Sequence, residues 1–114
     1  MKSLVNPLKA LSDPNRIRVI RMLEVKPLCV CEITAILNLA TSTVSKHLSI
    51  LKEARFIFEQ KEGKWVNYHL NRATQQQIVR ELISLILKCD LNDPIIKSDR
   101  DKIKSVDRTT LCNS

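Results

Sequence analysis

The 114-residue chain has one glycine, two histidines and few aromatics. No apolar run in it approaches the ~20 residues needed for a helical membrane span. Each shortage excludes something. With Gly63 the only glycine, there is no Gly-rich phosphate loop. No nucleophile elbow and no carboxylate pair is found, so enzyme chemistry is not expected. Met1-Lys2 is not followed by a signal-type apolar stretch, so a cytoplasmic location away from membranes is expected. In that compartment the four cysteines should be thiols rather than structural disulfides, open to soft ions. The Cys-x-x-Cys of redox enzymes is missing; Cys29-Val30-Cys31 is spaced differently. There is no internal repeat.

What is present is positive charge. The net charge is +7, and the whole excess lies in residues 1–89, because residues 90–114 are balanced. A basic small domain suggests a polyanion partner, although an ordinary basic surface would have the same composition. The length favours one domain, whose small core would gain from oligomerisation.

Apolar spacing gives the order of elements. Leu4, Val5, Leu8 and Leu11 have helical spacing, with Asn6 as a cap and Pro7 opening the helix. Asp13-Pro14 is a start signal for a second helix. Ile17, Ile20, Met22, Leu23 and Val25 are expected on its buried side, and Arg16, Arg18 and Arg21 on a basic side; Pro27 ends it. Val30 to Asn38 is a short amphipathic helix stopped by Asn38. Thr41 is expected to cap the next helix, with Val44, Leu48 and Leu51 inward. So short a link between two helices matches a helix-turn-helix.

Phe56 to Leu70 changes period and predicts a hairpin, with its turn at Glu62-Gly63 where positive φ is useful. Ala73 to Cys89 is the longest helical pattern. Its two adjacent stripes are Ile78, Leu82, Leu85 and Cys89, then Val79, Ile83, Ile86 and Leu87. That exceeds what one side of a small domain needs to bury: either the helix is central to the core, or it packs, with the N-terminal helix, against a second copy, the reading favoured because a terminal helix is rarely central in so short a chain. Asp93-Pro94 breaks the pattern, and residues 90–114 are expected as a mobile tail. The fold class is mainly α with a β-hairpin wing: a dimeric winged helix-turn-helix over residues 1–89.

Four segments in this order, SDPNRIRVIRML, CVCEIT, STVSKHLSILKEA and EGKWVNYHL, resemble the ArsR/SmtB family of metal- and metalloid-sensing repressors. The resemblance runs from about Leu8 to Leu70. The Pro-Leu-Cys-Val-Cys-Glu stretch looks like the arsenic-responsive branch, whose motif reads ELCVCDLC. It implies a homodimer on a palindromic operator, released when ligand binds. The chain departs from the pattern at Thr34, where the third motif cysteine would stand. It departs again at Pro27, in place of an acidic residue, and at Arg55, in place of a turn glycine.

On the second helix of the helix-turn-helix, the side away from the core carries Ser42, Thr43, Ser45, Lys46 and Ser49, with His47 on the flank. A helix fits the major groove of double-stranded operator DNA, and hydroxyls and Lys46 suit base edges or phosphates. Lys61 and Lys64 flank the hairpin turn and suit backbone or minor groove. Trp65 and Tyr68 are read as core. The same cluster would also serve a merely soluble helix face or a protein-binding module.

Cys29 and Cys31 stand at the start of a helix, a position that lowers thiol pKa and favours the metal-binding thiolate. Taken alone they are equally small buried residues. Residues i and i+2 on a helix point about 200° apart, so two such sulfurs on one ion would distort the first turn. The resemblance implies arsenite or antimonite as the inducer, and trivalent arsenic prefers three thiolates. Cys89 and Cys112 are both candidates for the third. Cadmium, lead or zinc are alternatives, as is thiol oxidation on the same fold. Zinc suits the chain less, since His47 and His69 both lie off the long helix where relatives carry zinc ligands.

Overall fold

The computed structural model describes residues 1–89 and 92–106. Among these, six helices surround a three-stranded antiparallel sheet. The helices are α1 (Lys2–Ala10), α2 (Pro14–Val25), α3 (Val30–Leu37), α4 (Thr41–Glu53), α5 (Gln77–Lys88) and α6 (Pro94–Ser105). The strands are β1 (Leu28–Cys29), β2 (Ile57–Glu62) and β3 (Trp65–Leu70), in the order β1-β3-β2.

The helix-turn-helix forms as its residues dictate. Ile33, Ile36 and Leu37 of α3 meet Val44, Leu48 and Leu51 of α4 in one buried cluster with Val19, Ile20 and Met22 of α2. Asn38 stops α3 in the left-handed region, with φ 56°. The N-cap of α4 is Ala40, without a side-chain bond, and Thr41 is the first helical residue rather than the cap. Arg55 takes φ 72° in the turn after α4, so an arginine holds a backbone conformation that favours glycine.

The hairpin turn falls one residue later than expected. Glu62 still pairs with Trp65, and Gly63 (φ 64°) and Lys64 make the two-residue turn, the loop length right-handed strand twist favours.

Other expectations are corrected. α1 begins at Lys2, with Pro7 buried inside it and Asn6 helical rather than capping. The proline sits early enough that the carbonyl it leaves free belongs to exposed Ser3, which water can satisfy. In α2, Val19 is buried and Val25 is 43% exposed, the reverse of its expected place at the helix end. The arginines of α2 do not form a free basic side. Arg21 Nη1 donates to the carbonyls of Ile86 and Leu87 at 3.1 and 3.0 Å, tying α2 to the end of α5.

α5 begins at Gln77, not Ala73. The Thr74 hydroxyl accepts from Gln76 N–H at 3.3 Å and the Thr74 carbonyl accepts from Arg80, which holds residues 74–76 in a turn. Its two stripes separate as they would on any single helix. Val79, Ile83 and Ile86 enter the core, while Leu85 is 59% exposed.

The mobile tail expected at residues 90–114 is corrected at residues 94–105, while residues 90–91 and 107–114 lie outside the described residues. Residues 94–105 form α6, which packs on α2 and α3. Asp93-Pro94 is a start signal, not only a break: Asp93 Oδ1 accepts from Ile95 N–H at 3.0 Å. Ile96, Asp99 and Ile103 make one buried face at helical spacing. Asp99 is tolerated there because Arg18 Nε and Nη2 donate to its two oxygens, each at 2.9 Å.

Candidate DNA interface and cysteine site

The exposed side of α4 brings together Ser42, Thr43, Ser45, Lys46 and Ser49, all solvent-facing. His47 is set apart from them. It is only 9% exposed, and its Nδ1 lies 3.0 Å from Arg16 Nη1. Asp13, Arg16, Ser42, Thr43, Lys46 and His47 line an open groove of about 550 Å³ at the first turn of α4. The first three amides of α4, Thr41 to Thr43, precede the first helical bond, Val44 N–H to the Ala40 carbonyl at 3.1 Å, and point the same way, so the groove favours an anion.

Lys61 and Lys64 are exposed near the tip of the hairpin, with Lys64 Nζ 5.0 Å from the centre of the Trp65 ring. Trp65 and Tyr68 are half-buried, and Tyr68 packs against the core. On the outer face of the sheet, Phe58 stacks on His69 with ring centres 5.0 Å apart. Glu62 Oε1 accepts from Asn67 Nδ2 at 2.7 Å and contacts His69 Nε2 at 3.1 Å.

The cysteines lie in a different place from the one helical spacing suggests. Cys29 is not on the helix: it ends β1, pairs with Asn67 of β3, and is the extended N-cap of α3. Its N–H donates to Glu32 Oε1 at 3.0 Å. The angle argued for two helical residues therefore does not apply to it. Cys29 is also buried, at 4% exposure. Burial is the largest influence on its thiol and pushes its pKa up, against the lowering expected at a helix start.

Cys31 is half-buried on the first turn of α3 and is disulfide-bonded, where a thiol was expected. Cys29 and Cys89 are free thiols, Cys89 being exposed after α5. The fourth cysteine, Cys112, lies outside the described residues. Among the described residues no three His, Cys, Asp or Glu side chains form a metal-binding group. Two polar atoms beside the cysteines are buried without partners: Asn67 Oδ1, across the sheet from Cys29, and Thr34 Oγ1, one turn after Cys31.

Two features of this region are not visible in the sequence. Arg16 contacts His47 across 31 positions, a pairing no local pattern reveals. The two-residue strand β1 is too short to give a periodic signal.

Comparison with known proteins agrees with this geometry. Residues 13–58 match the family described as bacterial regulatory protein, arsR family. The arsenical resistance operon repressor of Escherichia coli is 36% identical over 64 residues, 55% of each chain, so the match spans about half its length. The transcriptional repressor SdpR of Bacillus subtilis is 31% identical over 85 residues, 75% of this chain and 94% of that one. Reduced HlyU from Vibrio cholerae N16961 is a similar solved structure: TM-score 0.62, 30% identity, 77% of this chain and 90% of that one. The chain belongs to the ArsR family of bacterial helix-turn-helix transcriptional regulators.

Proposed function

We propose that the protein is a cytoplasmic repressor that binds operator DNA as a homodimer and is released by trivalent arsenic or antimony at Cys29 and Cys31. α4 enters the major groove with Ser42, Thr43, Ser45, Lys46 and Ser49, and Lys61 and Lys64 of the wing meet the backbone. The dimer forms through α5 and α1. In support, Leu85 is exposed on α5, and Leu4 and Leu8 on the neighbouring α1 are 47% and 46% exposed.

One observation carries the regulatory part. Cys29 is paired to the wing strand β3 and begins α3, which packs against α4. Both DNA-contacting elements therefore meet at one sulfur-bearing residue. A ligand bound at Cys29 acts where the β1–β3 pairing joins the start of α3, and binding that shifts Cys29 disturbs one or both. Linkage then requires DNA to weaken ligand binding by the same factor. The E. coli relative is named for arsenical resistance, which agrees with this inducer.

The test is operator binding to the promoter of its own gene, under a thiol-free phosphine reductant, with arsenite titrated in. Operator affinity should fall with arsenite in the wild type and stay constant in Cys29→Ser and Cys31→Ser. Equal affinity with and without arsenite in the wild type overturns the inducer. Cys89→Ser, compared with Cys112→Ser, identifies a third thiolate.

A second reading is favoured by the Cys31 disulfide: oxidation of thiols, rather than a metalloid, is the signal. Peroxide titration separates the two. DNA release by peroxide but not by arsenite selects oxidation.

A further inference from the structure

Arg16, on the first turn of α2, reaches back to the end of α1, and all three of its guanidinium nitrogens are engaged. Nε donates to the Ala10 carbonyl at 2.6 Å and Nη2 to the Lys9 carbonyl at 3.5 Å. Nη1 lies 3.0 Å from Nδ1 of His47. A guanidinium has donors only, so Nδ1 must offer its lone pair and the imidazole proton resides on Nε2. Nε2 has no hydrogen-bond partner among the described residues, and His47 lines the groove at the start of α4. A side chain nine-tenths buried thus presents one fixed, uncharged N–H to that groove.

The surroundings suit a phosphate. Lys46 supplies a cation, Ser42 and Thr43 supply hydroxyls, and the leading amides of α4 add their partial charge. The one carboxylate on the groove, Asp13, is already occupied as the cap of α2, accepting from Asn15 N–H at 2.7 Å.

We infer that Arg16 is a positioning residue of the DNA interface: by holding Nδ1 it fixes His47 as a neutral Nε2–H donor to a backbone phosphate beside the reading helix. The inference rests on the DNA-binding reading but not on the operator sequence, because phosphate contacts carry no sequence information.

It can therefore be tested on a mixed-sequence duplex, with affinity measured across a salt series. Gln places an amide N–H near the Nε2 position; Asn places its amide near Nδ1. His47→Gln should bind within about threefold of wild type, and His47→Asn should lose about tenfold or more. Neither should change the slope of log affinity against log salt, because a neutral donor releases no counterion. Lys46→Ala should flatten that slope by about one per protomer.

Imidazole ¹⁵N spectra of the unbound wild type should show the Nε2–H tautomer alone, with both tautomers present in Arg16→Met. Equal losses in the two His47 variants, a salt slope that falls with them, or an Nδ1–H wild-type tautomer overturns the assignment. Should the wild type bind no duplex at all, the DNA reading fails first and takes this inference with it. The tautomer measurement on wild type needs no variant to fold.

Discussion

Replacing Asp99 with alanine is expected to detach α6 rather than unfold the protein. The carboxylate is 4% exposed and the guanidinium of Arg18 12% exposed, so this ion pair is largely out of water. The pair is bidentate, and Arg18 Nη1 donates to Asn15 Oδ1 at 3.0 Å, so the guanidinium is held on both sides. Hydrogen bonding to Asp99 is the largest influence on Arg18 and raises its pKa. Removing one partner of such a pair typically costs about 3–5 kcal/mol, because the other charge stays buried alone.

Against that stands the apolar part of the contact. Ile96 and Ile103, 7% and 2% exposed, contribute roughly 1.5–3 kcal/mol each at full burial. The lost pair is thus comparable with the remaining attraction. α6 packs through one face on α2 and α3, so it should open as a unit. Hydrogen exchange should show protection lost across residues 94–105 in Asp99→Ala, with α3 and α4 still protected. Replacing both partners, Arg18→Met with Asp99→Leu, should restore most of the protection, since apolar isosteres of a buried pair are often neutral. Full protection of α6 in Asp99→Ala would show that the ion pair does not hold the helix. Equal loss everywhere would show that α6 is not a separate unit.

Three shorter predictions follow. Arg55→Gly should raise the unfolding free energy by about 0.5–1 kcal/mol in urea denaturation, because relief of the left-handed backbone exceeds the entropy cost of glycine; a loss of stability would contradict the strain. Leu85→Glu should leave folding unchanged within about 0.5 kcal/mol but give a monomer in sedimentation, and a persistent dimer would remove α5 from the interface. The Cys29 thiol, raised by burial, stabilises the fold fully below the ordinary thiol pKa, and that contribution is lost as pH rises through the raised folded value. Wild type should therefore lose stability relative to Cys29→Ala on the alkaline side, and parallel pH profiles would refute this.

Strong local chemistry made most of the fold legible. Asp13-Pro14, Asn38 and Gly63 each encode a boundary in one or two residues, and each acts as its chemistry requires. Asp93-Pro94 reads equally as a stop, which hides the start of α6. Its buried face also includes Asp99, whose burial makes sense only once Arg18 is known to lie opposite. That pairing spans 81 positions, beyond the reach of any periodicity argument. The same limit hid the role of the arginines of α2. A row of cations along a helix reads as a solvated face, but Arg16, Arg18 and Arg21 each reach a different distant element.

The cysteine site shows the limit most clearly, and it changes what the proposed switch demands. Spacing along a helix suggested two sulfurs pointing apart, yet Cys29 belongs to a strand only two residues long. With a buried, protonated sulfur, Cys29 can accept a metalloid only if its surroundings open first. The cheapest opening is loss of the short β1–β3 pairing, since only Leu28 with Tyr68 and Cys29 with Asn67 are paired there. That same pairing anchors the wing strand. On the proposed reading, ligand entry and wing placement are therefore alternatives, so DNA that clamps the wing should slow arsenite binding as well as weaken it. A DNA-bound protein that takes up arsenite as fast as the free protein would show that entry does not pass through β1.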